Sequence, residues 1–453
     1  MRWDRKMKRR KQNGLSQIQM IAMGFFIIIV VGTLLLMLPC ATKEGNTGIL
    51  DALFTATSAT CVTGLVVADT YRHWTLFGQL VILALIQTGG LGFMTIGVFF
   101  SIYIRRKISL RERELLQESI NTLQLAGVVR LTKLIVKGTL LLEGAGAVLL
   151  AFRFVPEMGW LRGCYYSVFH AVSAFCNGGF DLMGEREAYA SLTAYAGDPL
   201  VNLVIMTLIA VGGIGFIVWQ DIYGNGLRLR KYMLHTKIVL LMTAGLVFGG
   251  GILFWLFERN ALFQGHAPGT QILEALFSSV TARTAGFNTV DTGALSNGSK
   301  LLTMLLMFIG GSPGSTAGGI KTTTVVVLIM YTWNSLCSKN GCSVFERRIP
   351  DEIIKKSSMV LVINLLMALA AGVIICGVQP ELSMDSIMFE ICSAIGTVGM
   401  TCGITRDLST LSKCVIIFLM YCGRIGSMTF ALSFMQKKKT DPVQYPLGRI
   451  TVG

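Results

Sequence analysis

The chain has 453 residues, of which 53% are hydrophobic and 14% charged, and a formal net charge of +15. So few charges exclude a soluble protein of this length, which would expose large apolar patches. The basic residues are dispersed rather than gathered in the compact domain that nucleic-acid binding needs.

In chain order, a basic arm (1–16) precedes an apolar run at 17–40. That start is like a signal peptide, but it lacks a small-residue cleavage site and its apolar core is too long, so it reads as a retained helix. Further apolar runs fall at 75–104, 134–154, 200–223, 238–257, 301–333, 359–378 and 414–435. Twenty helical residues at ~1.5 Å each cross a ~30 Å hydrocarbon core, so these runs predict eight spans. Most of the 40 Lys and Arg residues sit in the arm, in the segments 105–137, 228–237 and 339–356, and in the tail. All of these share one predicted face, which places both termini in the cytoplasm by the positive-inside rule. The eleven cysteines and four histidines show no metal-ligand spacing and no paired scaffold.

Between successive spans lie segments too short to cross, at 50–60, 163–175, 271–282 and 386–395. Each runs into a glycine turn: Thr60-Cys61-Val62-Thr63-Gly64, Cys176-Asn177-Gly178-Gly179, Arg283-Thr284-Ala285-Gly286 and Gly396-Thr397-Val398-Gly399. The four final glycines are 115, 107 and 113 residues apart, the mark of one unit used four times. Aligned on them, Phe54, Phe169, Leu276 and Phe389 stand ten residues before, and Ser58, Ser173, Val280 and Ser393 six before. The third unit thus departs from the serine pattern. The expected fold is an all-α membrane protein of four tandem helix–pore-helix–helix repeats about a pseudo-fourfold pore. The repeats run 17–104, 131–224, 238–333 and 357–435, joined by cytoplasmic linkers 105–130, 225–237 and 334–356 and followed by a tail, 436–453.

Irregular backbone at membrane depth must be buried in protein or face water. Carbonyl rings replace a cation's hydration without trapping it by a formal charge, and glycine reaches backbone angles closed to other residues. Gly64, Gly179, Gly286 and Gly399 would form one ring, with Thr63, Gly178, Ala285 and Val398 just before them adding another. The half-helices aim partially negative C-termini at this zone, which favours a cation.

The second helix of each repeat carries a glycine cluster: Gly89-Gly90-Leu91-Gly92, Gly212-Gly213-Ile214-Gly215, Gly310-Gly311-Ser312-Pro313-Gly314 and Gly423-Arg424-Ile425-Gly426. Such clusters allow bending and close approach. In the third repeat the run 310–324 is too rich in Gly, Ser and Pro to remain helical and predicts a loop facing water at membrane depth. Residues 310–314 also fit Gly-x-Ser-x-Gly, which keeps an intramembrane hydrolase as a remote alternative, although no histidine partner is visible. Arg424, Lys321, Glu143 and Arg283 are the notable charges within apolar surroundings. Glu143 is expected to be a hydrogen-bonded group or a cation's partner, and Arg283 to brace loop carbonyls. No nucleotide-binding motif is present, so nucleotide control would come from another chain.

The four turns with their flanks (58–65, 173–180, 283–288, 396–399) and the stretch 310–324 resemble those of the membrane subunit of the bacterial Ktr/Trk potassium-uptake systems, in the superfamily that includes the plant HKT transporters. The chain has no extra helix pair before the first unit and ends in a Ktr-like segment (445–453), whereas Cys176-Asn177-Gly178 departs from the family pattern. The resemblance implies that the four glycines are selectivity-filter residues. With Gly64 where a serine goes with sodium permeation, potassium is favoured over a sodium or mixed-cation path. It implies a gate at Gly310, Gly311, Ser312, Gly314, Ser315, Thr316, Gly318, Gly319 and Lys321, with Arg424 facing the pore beside it. It implies a bacterial plasma-membrane protein that is not an enzyme and binds no cofactor, with potassium the transported ion and sodium a candidate activator. Implied partners are the lipid bilayer, a second copy in a homodimer, and a cytoplasmic ring of nucleotide-binding regulatory subunits docking on basic segments at 105–113, 228–231 and 339–356, with no nucleic acid.

Overall fold

The structure, a computed structural model, describes residues 16–104, 112, 114–117, 127–226, 228–338, 342–427 and 430. The basic arm before Ser16, nearly all of the basic segment 105–113 and the tail 436–453 lie outside the described residues.

The first repeat opens with α1 (Gln17–Leu36), started by a capping box between Ser16 and Gln19. A short helix, α2 (Ile49–Cys61), follows, then α3 (Leu76–Leu91) and α4 (Phe93–Tyr103). The second repeat has α5 (Val128–Met158), α6 (Trp160–Phe175), α7 (Pro199–Gly213) and α8 (Phe216–Asn225). Asp198 caps α7 and Pro199 occupies its first turn, where no N–H is missed. The third has α9 (Leu234–Glu258), α10 (Pro268–Thr281), α11 (Asn297–Phe308) and α12 (Thr322–Leu336). The fourth has α13 (Asp351–Val378), α14 (Met384–Gly396) and α15 (Thr410–Ile425). A two-stranded ribbon, β1 (Cys342–Val344) and β2 (Arg347–Ile349), joins the last two repeats, with Cys342 opposite Ile349 and Val344 opposite Arg347.

The first helices α1, α5, α9 and α13 are long and apolar enough to cross a membrane unbroken. About a third or less of each apolar window is buried by protein. Phe26, Leu34, Leu141, Phe248 and Val373 therefore point outward, which only lipid tolerates over such an area. The short helices invert this pattern. Every residue from Phe54 to Cys61 in α2 is buried, as is every residue from Phe277 to Thr281 in α10. The aromatic anchors Phe54, Phe169 and Phe389 are fully buried, so each short helix is wedged among spans at the centre.

All second helices break. The α3–α4 pair bends by 91° and the α7–α8 pair by 95°. The bends fall at Gly92 (φ +79°) and Gly215 (φ +98°), and α15 stops at the equivalent Gly426 (φ +93°). Left-handed backbone of this kind is cheap only for glycine. In the third repeat the break widens to the non-helical stretch 309–321 between α11 and α12. Among the described residues, the four unbroken helices and the two bent pairs make up to six spans by length and composition, while the expected runs 301–333 and 414–435 are represented by the shorter helices α11, α12 and α15.

Candidate functional site

The short helices end alike. In three repeats the N–H five residues after the helix's serine closes back to the serine carbonyl: Thr63 to Ser58 (2.8 Å), Gly178 to Ser173 (2.6 Å) and Val398 to Ser393 (2.8 Å). This closure satisfies carbonyls the helix leaves open. In the third repeat Ala285 bonds to Thr281 instead (3.0 Å). The hydroxyls complete each turn. Ser58 and Ser393 Oγ accept the N–H of Gly64 (3.1 Å) and Gly399 (3.0 Å). Ser173 Oγ donates to Phe180 O (2.8 Å) and Thr281 Oγ1 to Phe287 O (2.6 Å). Thr281, one residue later, thus does in the third repeat what Ser173 does in the second.

The four glycines meet in a closed ring, each against the next repeat. A methyl on Gly64 would lie 2.7 Å from Gly178 O and 3.1 Å from Gly179 Cα. One on Gly179 would lie 2.6 Å from Ala285 O, and one on Gly286 2.5 Å from Val398 O. One on Gly399 would meet Thr63 O and lie 2.9 Å from Gly64 Cα, which closes the circle. The carbonyls of Thr63, Gly178, Ala285 and Val398 are therefore brought together with the four glycines.

All four glycines are left-handed, with φ of +91°, +68°, +82° and +92°. The residues two before them are left-handed as well: Val62 (+56°), Asn177 (+61°), Thr284 (+87°) and Thr397 (+51°). Three of these are β-branched, for which positive φ is a genuine outlier. Such strain persists only where the surroundings over-determine it. The sequence gives no sign of this position, since no residue type marks it. Asn177 Nδ2 also donates to Thr284 Oγ1 (3.2 Å), tying the second turn to the third.

On one side of the ring lies a cavity of about 850 Å³ that the four glycines floor. The loop between α6 and α7 straps over it. Tyr189 N–H donates to Asp69 Oδ2 (2.9 Å), Leu192 N–H to Asn288 O (2.9 Å), and the Arg406 guanidinium stacks 4.3 Å above the Tyr189 ring.

On the other side lies the 309–321 stretch, pinned by the second and fourth repeats. Ser312 and Thr316 N–H donate to Gly213 O (3.1 Å) and Gly212 O (3.3 Å), and Phe216 N–H to Gly314 O (2.7 Å). Thr316 Oγ1 donates to Phe175 O (3.2 Å), at the end of α6. Gly318 and Gly319 pack on Thr397 and Gly396, leaving no room for a side chain. Gly310 abuts Gly318 O, and Gly311 abuts Ala317 and the Ser315 hydroxyl. Lys321 turns back onto Ala317 O (2.8 Å) and Gly318 O (3.3 Å), a local pairing rather than a reach toward water. Arg424 donates to Thr316 O, Gly89 O and Gly90 O, the last at 3.1 Å. It joins the loop to the hinge of the first repeat.

Glu143 accepts from Gln87 Nε2 (3.2 Å) and has no cationic partner among the described residues. Arg283 is buried, but its Nε has no acceptor and the bracing of loop carbonyls expected of it is absent among the described contacts. It sits beside the ring held by packing.

A mostly helical chain with several membrane-length apolar helices and a closed main-chain ring among its repeats belongs to the class of membrane proteins that move ions. The family model for TrkH, cation transport protein, matches residues 2–443, and the chain belongs to that family; it is a transporter and not an enzyme. It is 42% identical to the potassium/sodium uptake protein NtpJ of Enterococcus hirae, over 97% of both chains. It is 42% identical to the Ktr system potassium uptake protein B of Bacillus subtilis, over 96% of both, and 37% identical to the protein of that name from Vibrio alginolyticus, over 98% and 97%. The crystal structure of the potassium transporter TrkH from Vibrio parahaemolyticus shares the fold, with a TM-score of 0.75, 18% identity, and 94% and 86% coverage.

Proposed function

We propose that the chain carries potassium across the bacterial plasma membrane through a filter made by the carbonyls of Thr63, Gly64, Gly178, Gly179, Ala285, Gly286, Val398 and Gly399. The observation that carries this reading is the head-to-tail meeting of the four glycine turns, because main-chain oxygens around an axis can stand in for an ion's hydration shell. The names of the relatives, potassium uptake proteins, support the choice of ion. The repeats are read as 17–104, 131–224, 238–333 and 357–435, with both termini cytoplasmic. The stretch 310–324 and Arg424 act as the barrier below the filter. The chain works as a homodimer on a cytoplasmic nucleotide-binding ring, as the Ktr system names of its relatives suggest for a membrane subunit with further components. Sodium serves as an activator.

A mixed potassium and sodium path is the second reading, favoured by the relative named potassium/sodium uptake protein. Flux into proteoliposomes, with each ion alone and with the regulatory partner added or omitted, separates the two. Potassium flux well above sodium flux supports the first reading. Equal fluxes support the second, and no cation flux with or without partner removes both.

A further inference from the structure

The residue two positions beyond each ring glycine stands at the rim of the cavity: Val66, Asp181, Asn288 and Thr401. Only one of the four is charged. Resting on the reading above, we propose that Asp181 is the cation-recruiting group of the pore, holding a partly hydrated potassium ion at the outer mouth before it enters the carbonyl ring.

Placement gives the first argument. A formal charge inside a filter would trap the ion, whereas one at the rim raises the local cation concentration without blocking exit. Availability gives the second. Asp181 Oδ1 accepts the Met183 N–H (2.9 Å), and no cation among the described residues lies within ion-pair distance of the carboxylate. The neighbouring Asp69 is consumed by structure, since it accepts the N–H groups of Tyr71 (2.9 Å), Arg72 (2.8 Å) and Tyr189 (2.9 Å).

The other charges about Asp181 are committed or distant. Arg72 points its Nε to Gly184 O (2.7 Å), and Arg162 pairs with Glu185. Arg406 is stacked on Tyr189. His170, beneath the loop, faces the Leu182 N–H through Nε2 and Tyr166 O through Nδ1. Glu187 and Asp291 lie elsewhere on the cavity wall, and His266 there is engaged with Glu274 (2.9 Å).

Burial pushes the Asp181 carboxyl up to about 7, against the opposing Met183 N–H and with help from the negative Asp69. A raised carboxyl is protonated, and neutral, at pH values where an ordinary aspartate is charged. Protons and potassium then compete for one group. Acidifying the outer solution through pH 7 should raise the potassium concentration for half-maximal uptake and leave the maximal rate unchanged.

The test is rubidium-traced uptake by potassium-deficient cells expressing the full chain with its partner, at outer pH from about 5.5 to about 8. Wild type should show a half-saturation that rises as pH falls, at constant maximal rate. Asp181→Asn should raise the half-saturation roughly tenfold, as expected for loss of electrostatic focusing, and abolish its pH dependence, and Asp181→Glu should retain both. A pH-independent half-saturation in wild type overturns the proposal without any variant having to fold. So does Asp181→Asn with a wild-type half-saturation and pH profile, or a pH dependence lost in Glu187→Gln and kept in Asp181→Asn. Saturable uptake by wild type at high pH in all these cases leaves the pore reading standing, and its absence removes that reading instead.

Discussion

A methyl group on Gly399 would press on the Thr63 carbonyl oxygen and the Gly64 Cα at a backbone φ of +92°. An L-residue in that conformation costs about 1–2 kcal/mol, and the neighbour it meets is backbone of the first repeat, which cannot rotate away. Gly399→Ala should therefore abolish potassium uptake even where the protein still reaches the membrane. Gly245→Ala, at a glycine with open space around it and no positive φ, should leave uptake intact. Uptake assays normalised to membrane protein level check both, and comparable transport by the two variants would contradict the ring. The glycines themselves were legible in the sequence, because their near-equal spacing and preceding half-helices single them out among 50. The left-handed residues two positions earlier were not. Val62, Thr284 and Thr397 are poor choices for positive φ, so local preference points away from the observed backbone. The local closures of Thr63 onto Ser58, Ala285 onto Thr281 and Val398 onto Ser393 hold them there together with the ring, a contact between segments more than a hundred residues apart.

At the scale of an element, the 309–321 stretch combines two features with different visibility. Its refusal to be helical follows from its Gly, Ser and Pro content. Its docking onto Gly212, Gly213 and Phe216 of the second repeat and onto Arg424 of the fourth could not be read, because backbone acceptors carry no sequence signal. The same limit applied to Arg283, where an acceptor was expected and none is present among the described contacts. The pinning makes a prediction about the barrier. Arg424 bonds one carbonyl of the loop and two of the α3 hinge. Hydrogen bonds from a charged donor contribute about 1.5–3 kcal/mol each, and about 1.4 kcal/mol is a factor of ten in an equilibrium. Arg424→Ala should raise partner-independent flux in proteoliposomes by about tenfold or more, and Arg424→Lys by less. An unchanged flux together with an unchanged requirement for the partner would take Arg424 out of the barrier.

At the scale of the whole molecule, chain direction fixes which face is which. From the third filter turn the chain passes the loop and enters α12, whose 15 residues carry it about 22 Å farther along the helix. The β1–β2 ribbon follows, so it lies on the face away from the ring. The start of α1 and the end of α15 lie toward that face as well: α15 terminates beside the loop at Ile425, and the Tyr421 hydroxyl donates to Ala22 O (2.7 Å) in α1. The loop between α1 and α2 lies on the opposite face, where Lys43 Nζ donates to Tyr71 O (2.7 Å) and Thr75 Oγ1 to Cys40 O (2.6 Å). Under the positive-inside rule, the exposed Arg347 and Arg348 on the ribbon predict a cytoplasmic location for its face. The orientation is testable with a membrane-impermeant thiol reagent, once the exposed Cys40, Cys337 and Cys414 are replaced by serine. Asn46→Cys, in the α1–α2 loop, should label in intact cells. Ser343→Cys, exposed on β1, should label only after permeabilisation. The reverse pattern would place the filter cavity on the inside, and a cation collected at Asp181 would then be leaving the cell rather than entering it.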